Sequence, residues 1–437
     1  MEWWVYMLFF FGGLGALLLL GLPVAFAFLL VNLVGAYAIW GGDIGLAQLV
    51  LSIDSSVSTF VLVPVPMFIL MGTVMFHSGI AFKMIDVLDE WLGRIAGRLS
   101  ILAVGAGALF ATLTGVAMGS VAMLGSTLAP DMERRGYARS MSLGPILASG
   151  SLAIMIPPSA LAVILASLGK FSIGKLLVGI LLPGFLLAVV YVAYIVVRCT
   201  LQPSLAPPYD VAPAPLGRRL VNTLRYVVPP LSVIVVVIGT IFLGVATPTE
   251  AAAVGALLCF VLATAYRRLT WAVVKKAVGS ATSLSVMVLI ILTGSAAFGQ
   301  LLSFSGVTPA ITRLVTELAV EPLVILILMQ VIVVFLGMFI EQTSIVMVTI
   351  PIFMPIVQAL GWDPIWFGAI LMLNLEMATI SPPFGLSLFV MKGIAAPDTR
   401  MSDIYRAALP FVGLNIVVMA IMIVFPAIVL WLPGLMS

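Results

Sequence analysis

Two stretches decide how this chain folds: SGSLAIMIPPS at residues 149–159 and NLEMATISPPFG at residues 374–385. Each places a double proline inside a long apolar segment. Proline lacks an amide proton and clashes with the preceding turn, so a helix that enters either stretch must unwind there. The freed carbonyls and the neighbouring hydroxyls are oxygen ligands suited to a sodium-like cation. A structural kink would explain either double proline alone, but two at matching positions favour a binding site.

Composition places the whole chain in a membrane. Hydrophobic residues make up 63% of the sequence and charged residues only 8%, which excludes a soluble globular protein. Apolar windows such as residues 231–245 lack the period-two alternation of a barrel strand. The predicted fold class is therefore an all-α polytopic membrane protein.

The reactive side chains exclude several function classes. His77 is the only histidine, which argues against a histidine-based hydrolase or metal site, and no metal or cofactor other than a coupling ion is expected. Cys199 and Cys259 lie too far apart in the sequence to indicate a disulfide framework. The net charge of +3 comes from basic residues beside membrane ends, not from a nucleic-acid-binding face.

About ten membrane crossings are predicted, joined by two further apolar elements at residues 100–130 and 323–358 that each enter and leave on one side. These elements are re-entrant hairpins or pairs of short spans. From an external N-terminus, the loops on the inner side carry all Lys and Arg residues except Lys170, Lys175 and Arg313. The positive-inside rule therefore places both termini on the outer side of the membrane. The predicted crossings are residues 4–21, 22–40, 60–82, 140–168, 176–198, 226–244, 251–266, 280–303, 365–391 and 407–432.

The two halves of the chain predict inverted repeats. A shift of 225 positions aligns Pro157–Pro158 with Pro382–Pro383 without a gap, and Val121 with Val346. Five crossings in each half would invert the second copy, and inverted repeats are typical of secondary transporters. The first repeat spans residues 1–200, a proline-rich cytoplasmic linker spans 201–225, and the second repeat spans 226–437.

Each predicted hairpin has a polar tip. TGVAMGS at residues 114–120 leaves legs of about 14 residues in the first hairpin, about 21 Å each and too short to span. GMFIEQTS at residues 337–344 forms the second tip. Polar backbone at membrane depth requires a protein-lined or water-filled cavity. The alternative for the second element is two complete spans joined by an exposed turn.

Three segments mix charged and apolar residues at helical spacing: residues 82–98, 308–320 and 395–406. This pattern predicts helices that lie in the membrane interface, with ordinary connecting loops as the alternative.

Long passages resemble the large membrane subunit of tripartite ATP-independent periplasmic (TRAP) transporters, a family of the wider ion-transporter group. The most specific passages are GMFIEQTSIVMVTIPIFMPIVQALGWDPIWFG at residues 337–368, ISPPFGLSLFV at 380–390, and the first-half stretch from 127 to 159. The resemblance implies sodium-driven uptake of a small organic anion, such as a C4-dicarboxylate or sialic acid, across the bacterial inner membrane. It also implies an elevator mechanism, a small four-helix membrane subunit and a periplasmic substrate-binding protein.

By position, the resemblance also implies two cation sites with the substrate between the tips. The implied cation-binding residues are Thr114, Gly115, Met118, Gly119, Ser120, Ser149, Gly150, Pro157, Gly337, Glu341, Gln342, Thr343, Thr379 and Pro382. The implied substrate-binding residues are Ser120, Ser159, Thr343, Ser344, Asn374 and Ser381.

Three alternatives differ from this interpretation. A stand-alone carboxylate symporter of the same architecture, coupled to sodium or to protons through Glu341 or Glu376, would need no receptor. An intramembrane enzyme would need a base paired with a nucleophile, and the sequence offers none evident. A purely structural membrane protein would not need two polar tips and two broken helices at membrane depth.

Overall fold

A computed structural model of the chain describes residues 2–93, 95–114, 117–207, 215–317 and 320–436, and gives no side-chain description for residues 110–118 and 151. Every regular element in these ranges is a helix, which confirms the predicted all-α class. The first half contains α1 Trp3–Met7, α2 Gly13–Leu19, α3 Val24–Ile39, α4 Asp43–Val57, α5 Pro64–His77, α6 Ile80–Trp91, α7 Arg98–Thr114, α8 Ala117–Arg134, α9 Arg139–Met155, α10 Ala160–Gly169, α11 Ile173–Gly179 and α12 Leu181–Leu201.

The second half follows the proline-rich segment. Its helices are α13 Leu216–Asn222, α14 Val228–Phe242, α15 Pro248–Ala265, α16 Trp271–Phe304, α17 Val307–Glu317, α18 Pro322–Gly337, α19 Gln342–Ala359, α20 Pro364–Thr379, α21 Leu386–Ile394, α22 Met401–Val424 and α23 Ala427–Gly434. Short π-helical turns at Leu8–Gly12 and Thr223–Val227 continue neighbouring α-helices.

Helix length and composition agree with a multi-pass membrane protein. Among the described residues, seven helices or continuous helix runs are long and apolar enough to cross a bilayer. The pair α9 and α10 counts as an eighth if it is one span bent by 48°. Five shorter apolar helices accompany them, including α3, α18 and α20. The count of ten crossings stays a prediction.

Both double prolines break their helices, as predicted. The first helix ends at Met155 and α10 begins at Ala160, so residues 156–159 are non-helical. In the second half, α20 ends at Thr379 and α21 begins at Leu386. The Pro157–Pro158 and Pro382–Pro383 peptide bonds are both cis.

The legs of the first predicted hairpin are longer than the sequence predicted. The legs α7 and α8 have 17 and 18 residues instead of about 14, while α18 and α19 have 16 and 18. The prediction was wrong because Gly119 and Ser120, whose composition is typical of a tip, lie in the first turn of α8. The second tip is residues 338–341, between α18 and α19.

Two of the three segments predicted as interfacial helices form separate helices, α6 and α17, and their position in the interface stays a prediction. The third is wrong, because residues 395–400 are not helical and Met401 begins the long helix α22. Asp403 caps the start of α22 by accepting a hydrogen bond from the Arg400 amide at 3.0 Å. Helix α4 was not predicted.

Glycines let the helices around the first break approach closely. A Cβ added to Gly107 on α7 would lie 2.2 Å from the Ser149 Cβ on α9, and one added to Gly184 on α12 would lie 2.4 Å from the Met155 carbonyl oxygen. A Cβ at Gly144 would lie 2.6 Å from the Ala407 carbonyl oxygen on α22. Small residues at such crossings are the usual means of packing helices in a membrane.

Helix α16 forms the centre of a second group of helices. The Asn32 side chain on α3 donates to the Gly294 carbonyl at 2.7 Å, and Phe28 packs edge-to-face on Phe298. On its other side, the Ser295 hydroxyl donates to the Met347 carbonyl of α19 at 2.6 Å. Helix α16 therefore contacts both the α3 side of the bundle and a leg of the second hairpin.

Replacing Gly107 by Ala tests the close crossing of α7 and α9. The added methyl group meets a Cβ that the α9 backbone holds in place, so overpacking should cost about 1–3 kcal/mol of stability. Gly239→Ala on α14 is the matched control, because nothing lies within 4 Å of its added Cβ. Thermal unfolding in detergent should show a lower Tm for G107A only; equal Tm values would refute the crossing.

Candidate substrate and cation site

Side chains at the second break hydrogen-bond to the nearby backbone and to each other. The Thr379 hydroxyl donates to the Glu376 carbonyl at 2.8 Å, and the Ser387 hydroxyl donates to Thr379 Oγ1 at 3.3 Å. Ser381 donates to the Met377 carbonyl at 2.7 Å. A Cβ on Gly385 would lie 2.4 Å from the Thr379 carbonyl oxygen, so the chain folds back tightly over the end of α20.

The tip of the second hairpin lies directly on this break. A Cβ on Gly337 would lie 2.3 Å from the Ala378 Cβ, which leaves room only for glycine. The Gln342 amide donates to the Leu375 carbonyl at 3.4 Å, and the Thr343 hydroxyl donates to Glu341 Oε1 at 2.8 Å. The structure therefore brings together the predicted residues Gly337, Gln342 and Thr379.

Glu376 is the most unusual residue of the site. Its side chain is 0% exposed, and neither carboxylate oxygen has a hydrogen-bond partner within the described ranges. The Gln342 amide lies beside it without a hydrogen bond of good geometry. A buried carboxylate is costly unless a cation or a proton balances it. The sequence suggested Glu376 only as a proton carrier, because burial on every side of α20 depends on tertiary packing.

Asn374 locks the second hairpin to the broken helix. Its side-chain nitrogen donates at 2.8 Å to both the carbonyl oxygen and Oε1 of Gln330 on α18. Asn374 Oδ1 and Gln330 Nε2 are buried and lack a hydrogen-bond partner in the described part of the chain. Gln330 was missed in the sequence because it interrupts an otherwise apolar helix and has no neighbouring polar residue.

The first break is more compact. Ser149 is fully buried and donates to the Ile146 carbonyl at 2.6 Å, while Ser159 Oγ accepts from the Ala162 amide and caps α10. Gly150 and Pro157 are also buried. Pro157 and Ser159 therefore lie in the break itself, whereas Ser149 and Gly150 lie within α9, more than one helical turn before it ends at Met155.

The first tip is only partly described. Gly115 lies outside the described residues, and the side chains of Thr114 and Met118 do as well. Gly119 is exposed in the first turn of α8, and Ser120 next to it is buried. Their roles as ligands stay predictions, as do those of all the other predicted cation- and substrate-binding residues.

Each break, and the tip between α18 and α19, places the end of one helix next to the start of the following helix. Helices α9, α18 and α20 end there, and α10, α19 and α21 begin there. A helix C-terminus presents unpaired carbonyls and a partial negative charge, and an N-terminus presents amide protons and a partial positive charge. Such a site can bind a cation and an anion without a basic side chain. No group of three or more His, Cys, Asp or Glu residues that could hold a metal ion occurs in the described ranges.

A cavity of about 1110 Å³ opens beside α19 and was not predicted. It lies between α4 and α16 on one side and α10 and α19 on the other, with Lys170 at its edge. Its polar residues come from elements far apart in the sequence, so no local pattern could have revealed them. They are Ser55, Ser56, Thr59, Ser167, Lys170, Ser295, Gln300, Ser303 and Gln358.

The sequence matches the family described as "Tripartite ATP-independent periplasmic transporter, DctM component" over residues 11–428. It is 33% identical over 378 residues to the C4-dicarboxylate TRAP transporter large permease protein DctM of Pseudomonas aeruginosa, which covers 86% of each chain. Identity to the sialic acid TRAP transporter large permease protein SiaM of Vibrio cholerae is 29%, over 97% of each chain. The Alcanivorax borkumensis YdaH transporter shares the fold, with a TM-score of 0.64 over 90% of each chain at 16% identity.

Cysteine labelling tests whether the cavity beside α19 holds water. Cys199 and Cys259 are buried, so the unmodified protein should react little with a membrane-impermeant maleimide. Gln300→Cys and Gln358→Cys should react, because both positions are exposed and line the cavity. Val331→Cys is the control: it is 57% exposed on the apolar face of α18, where lipid keeps the thiol protonated. Equal labelling of all three variants would contradict a water-filled cavity.

Proposed function

Because this chain belongs to the family of TRAP transporter DctM components, we propose that it is the large permease that imports a small organic anion across the bacterial inner membrane, driven by a sodium gradient. Membership confirms the resemblance seen in residues 127–159, 337–368 and 380–390. It also makes the chain a membrane transport subunit and not an enzyme.

The substrate class follows from the relatives. The two relatives named above are permeases for a C4-dicarboxylate and for sialic acid, and both compounds carry carboxylates. A carboxylate is therefore the proposed cargo. The family name describes one component of a tripartite system, so a small four-helix membrane subunit and a periplasmic substrate-binding protein are the proposed partners.

One observation supports coupling to a cation more than any other: the unpartnered carboxylate of Glu376 beside the second break. Sodium bound to the oxygens around Thr379 and the tip would balance this charge, since hard oxygen ligands suit a hard cation. The helix C-termini of α18 and α20 add carbonyl oxygens to the same place. Glu376 thus joins the predicted ligands Glu341, Gln342 and Thr343 as the fully buried carboxylate of the site.

The anion would be held by helix N-termini and hydroxyls. None of residues 149–159, 337–344 and 374–385 is Lys or Arg, so no basic side chain of these stretches can bind a carboxylate. Helices α10 and α21 begin at the breaks, α19 begins at the second tip, and each of these helix starts presents amide protons. Ser159, Thr343 and Ser344 lie at these helix starts and supply hydroxyl donors.

The proposed transport cycle is an elevator. Residues 1–200 and 226–437 would be inverted repeats, because both halves have the same order of hairpin, broken helix and closing span. The hairpins and broken helices would move together past a scaffold that includes α4 and α16. The cavity beside α19 lies on the boundary between these two groups. Positive-inside loops orient both termini to the periplasm.

Uptake by the reconstituted complex should require a sodium gradient. Proteoliposomes containing this chain, the small membrane subunit and the cognate binding protein should accumulate labelled substrate with sodium outside. Replacement of sodium by potassium should abolish accumulation. Undiminished accumulation driven by a proton gradient alone would contradict sodium coupling.

The same assay distinguishes the stand-alone symporter. If the binding protein is omitted, a tripartite system should lose nearly all uptake, because the permease receives its substrate from the receptor. Uptake that is independent of the receptor would support the alternative and overturn the tripartite proposal.

Glu376→Gln should remove the response to sodium, because the variant keeps the shape of the side chain but not its charge. Sodium at ten times its dissociation constant stabilises a protein that binds it by about 1.4 kcal/mol. For a chain of 437 residues, this corresponds to a rise in Tm of roughly 1.5 °C. Thermal unfolding in detergent, with sodium or potassium, should show the rise in the wild type only.

An exposed glutamate provides the control for this measurement. Glu317→Gln on α17 removes the same charge far from the breaks, and its side chain is 72% exposed. It should respond to sodium like the wild type. A full sodium response in E376Q would place the cation elsewhere.

A further inference from the structure

A second cavity, of about 400 Å³, lies where three membrane helices end together. Helix α5 ends just before it, α15 ends beside it, and α14 begins beside it. Six side chains of its lining carry the argument: Lys83, Arg225, Tyr226, Tyr266, Arg267 and Arg268. We call this site the basic cavity.

The basic cavity carries uncompensated positive charge. Lys83 pairs with Asp86 at 3.3 Å on the same helix. Within the described ranges, Arg225, Arg267 and Arg268 have no ion pair with a carboxylate. Three arginines around one concave site without an internal anion are typical of a place where an external anion binds.

Aromatic packing joins the two elements that carry these arginines. The Tyr266 hydroxyl donates to the Arg225 carbonyl, and the Tyr226 and Tyr266 rings stack with centroids 5.9 Å apart. The Arg225 guanidinium lies 5.4 Å from the centroid of the Tyr226 ring. The start of α14 and the end of α15 are therefore joined at the cavity itself.

The backbone of Arg267 provides independent support. Its φ of +55° lies in the left-handed region, at the position after a helix end where glycine is preferred. Ten other residues with positive φ in the described ranges are glycines, and only Lys170 and Arg267 are not. Each of these two lines one of the two cavities. An arginine kept in a conformation that favours glycine indicates that its side chain has a role there.

The basic cavity lies at the level where lipid headgroups are expected. It lies at span ends, and Trp271, three residues after Arg268, is 79% exposed, as expected of an aromatic residue in the membrane interface. The charge pattern assigns this side to the cytoplasm. Basic pockets between helices on that side bind the phosphates of anionic lipids.

We propose that the basic cavity binds a phosphate group, and that the phosphate belongs to an anionic phospholipid of the inner leaflet. Arg225, Arg267 and Arg268 bind the phosphate oxygens, and Lys83 contributes at the rim. The bound lipid links the ends of α5, α14 and α15. This site is separate from the breaks and does not depend on the transported substrate.

Thermal unfolding of the full chain in lipid-free detergent tests the proposal. Phosphatidylglycerol should raise the Tm by several degrees, and phosphatidylcholine, with its phosphate neutralised by choline, should not. Inorganic phosphate forms a third arm. If it raises the Tm as much as phosphatidylglycerol does, the cavity binds phosphate, but as a free anion and not as part of a lipid. No rise with either would overturn the proposal.

Two variants and a control locate the binding. Arg267→Gly removes a binding side chain and places a glycine where φ is positive. Without lipid, its Tm should therefore equal or exceed that of the wild type. With phosphatidylglycerol, it should lose most of the rise in Tm. Arg268→Gln should lose the rise as well. Lys275→Gln, an exposed cation on α16 outside the cavity lining, should retain it. An equal loss in K275Q, or a full response in R267G, would refute the basic cavity as the site.

Discussion

Backbone amides and carbonyls that leave a helix within a bilayer need partners, and this constraint governs the centre of the molecule. The helices α9 and α20 unwind at their double prolines, and the groups freed there are enclosed by protein. Ser159 caps α10 by accepting from the Ala162 amide, and Tyr405 donates to the Pro383 carbonyl at 2.6 Å. Lipid could not solvate the freed backbone groups. The breaks therefore require neighbouring protein elements that supply hydrogen-bond partners.

The same constraint explains where the glycines are needed. Gly184 brings α12 against the Met155 carbonyl, and Gly385 turns the chain back over the Thr379 carbonyl. Gly337 lets the second tip rest on Ala378 of α20. A methyl group at any of these three positions would separate a break from the element that covers it. In this protein, close helix packing is therefore also the means by which the freed backbone groups reach their covering elements.

The breaks could be predicted from sequence because the effect of proline is local. The double prolines correctly predicted the positions of both unwound segments. The polar stretch 337–344 contains residues 338–341, which separate α18 from α19. Leg length was predicted less well, because Gly119 and Ser120 continue α8 despite a composition typical of a tip. Gln330 and the cavity beside α19 were missed because their partners are distant in sequence. Gln330 meets Asn374 only in the folded chain, and only there do Gln358 and Ser303 line one cavity.

Glu376 shows why burial cannot be predicted from a motif alone. Its neighbours Asn374 and Thr379 make hydrogen bonds to protein, whereas the carboxylate between them makes none in the described part of the chain. A permanent basic side chain would satisfy it but would also hold an anionic substrate tightly. A coupling cation can balance Glu376 and then leave, and helix N-termini bind a carboxylate with partial charges only. In the proposed function, both ions are therefore held strongly enough to travel together and weakly enough to be released.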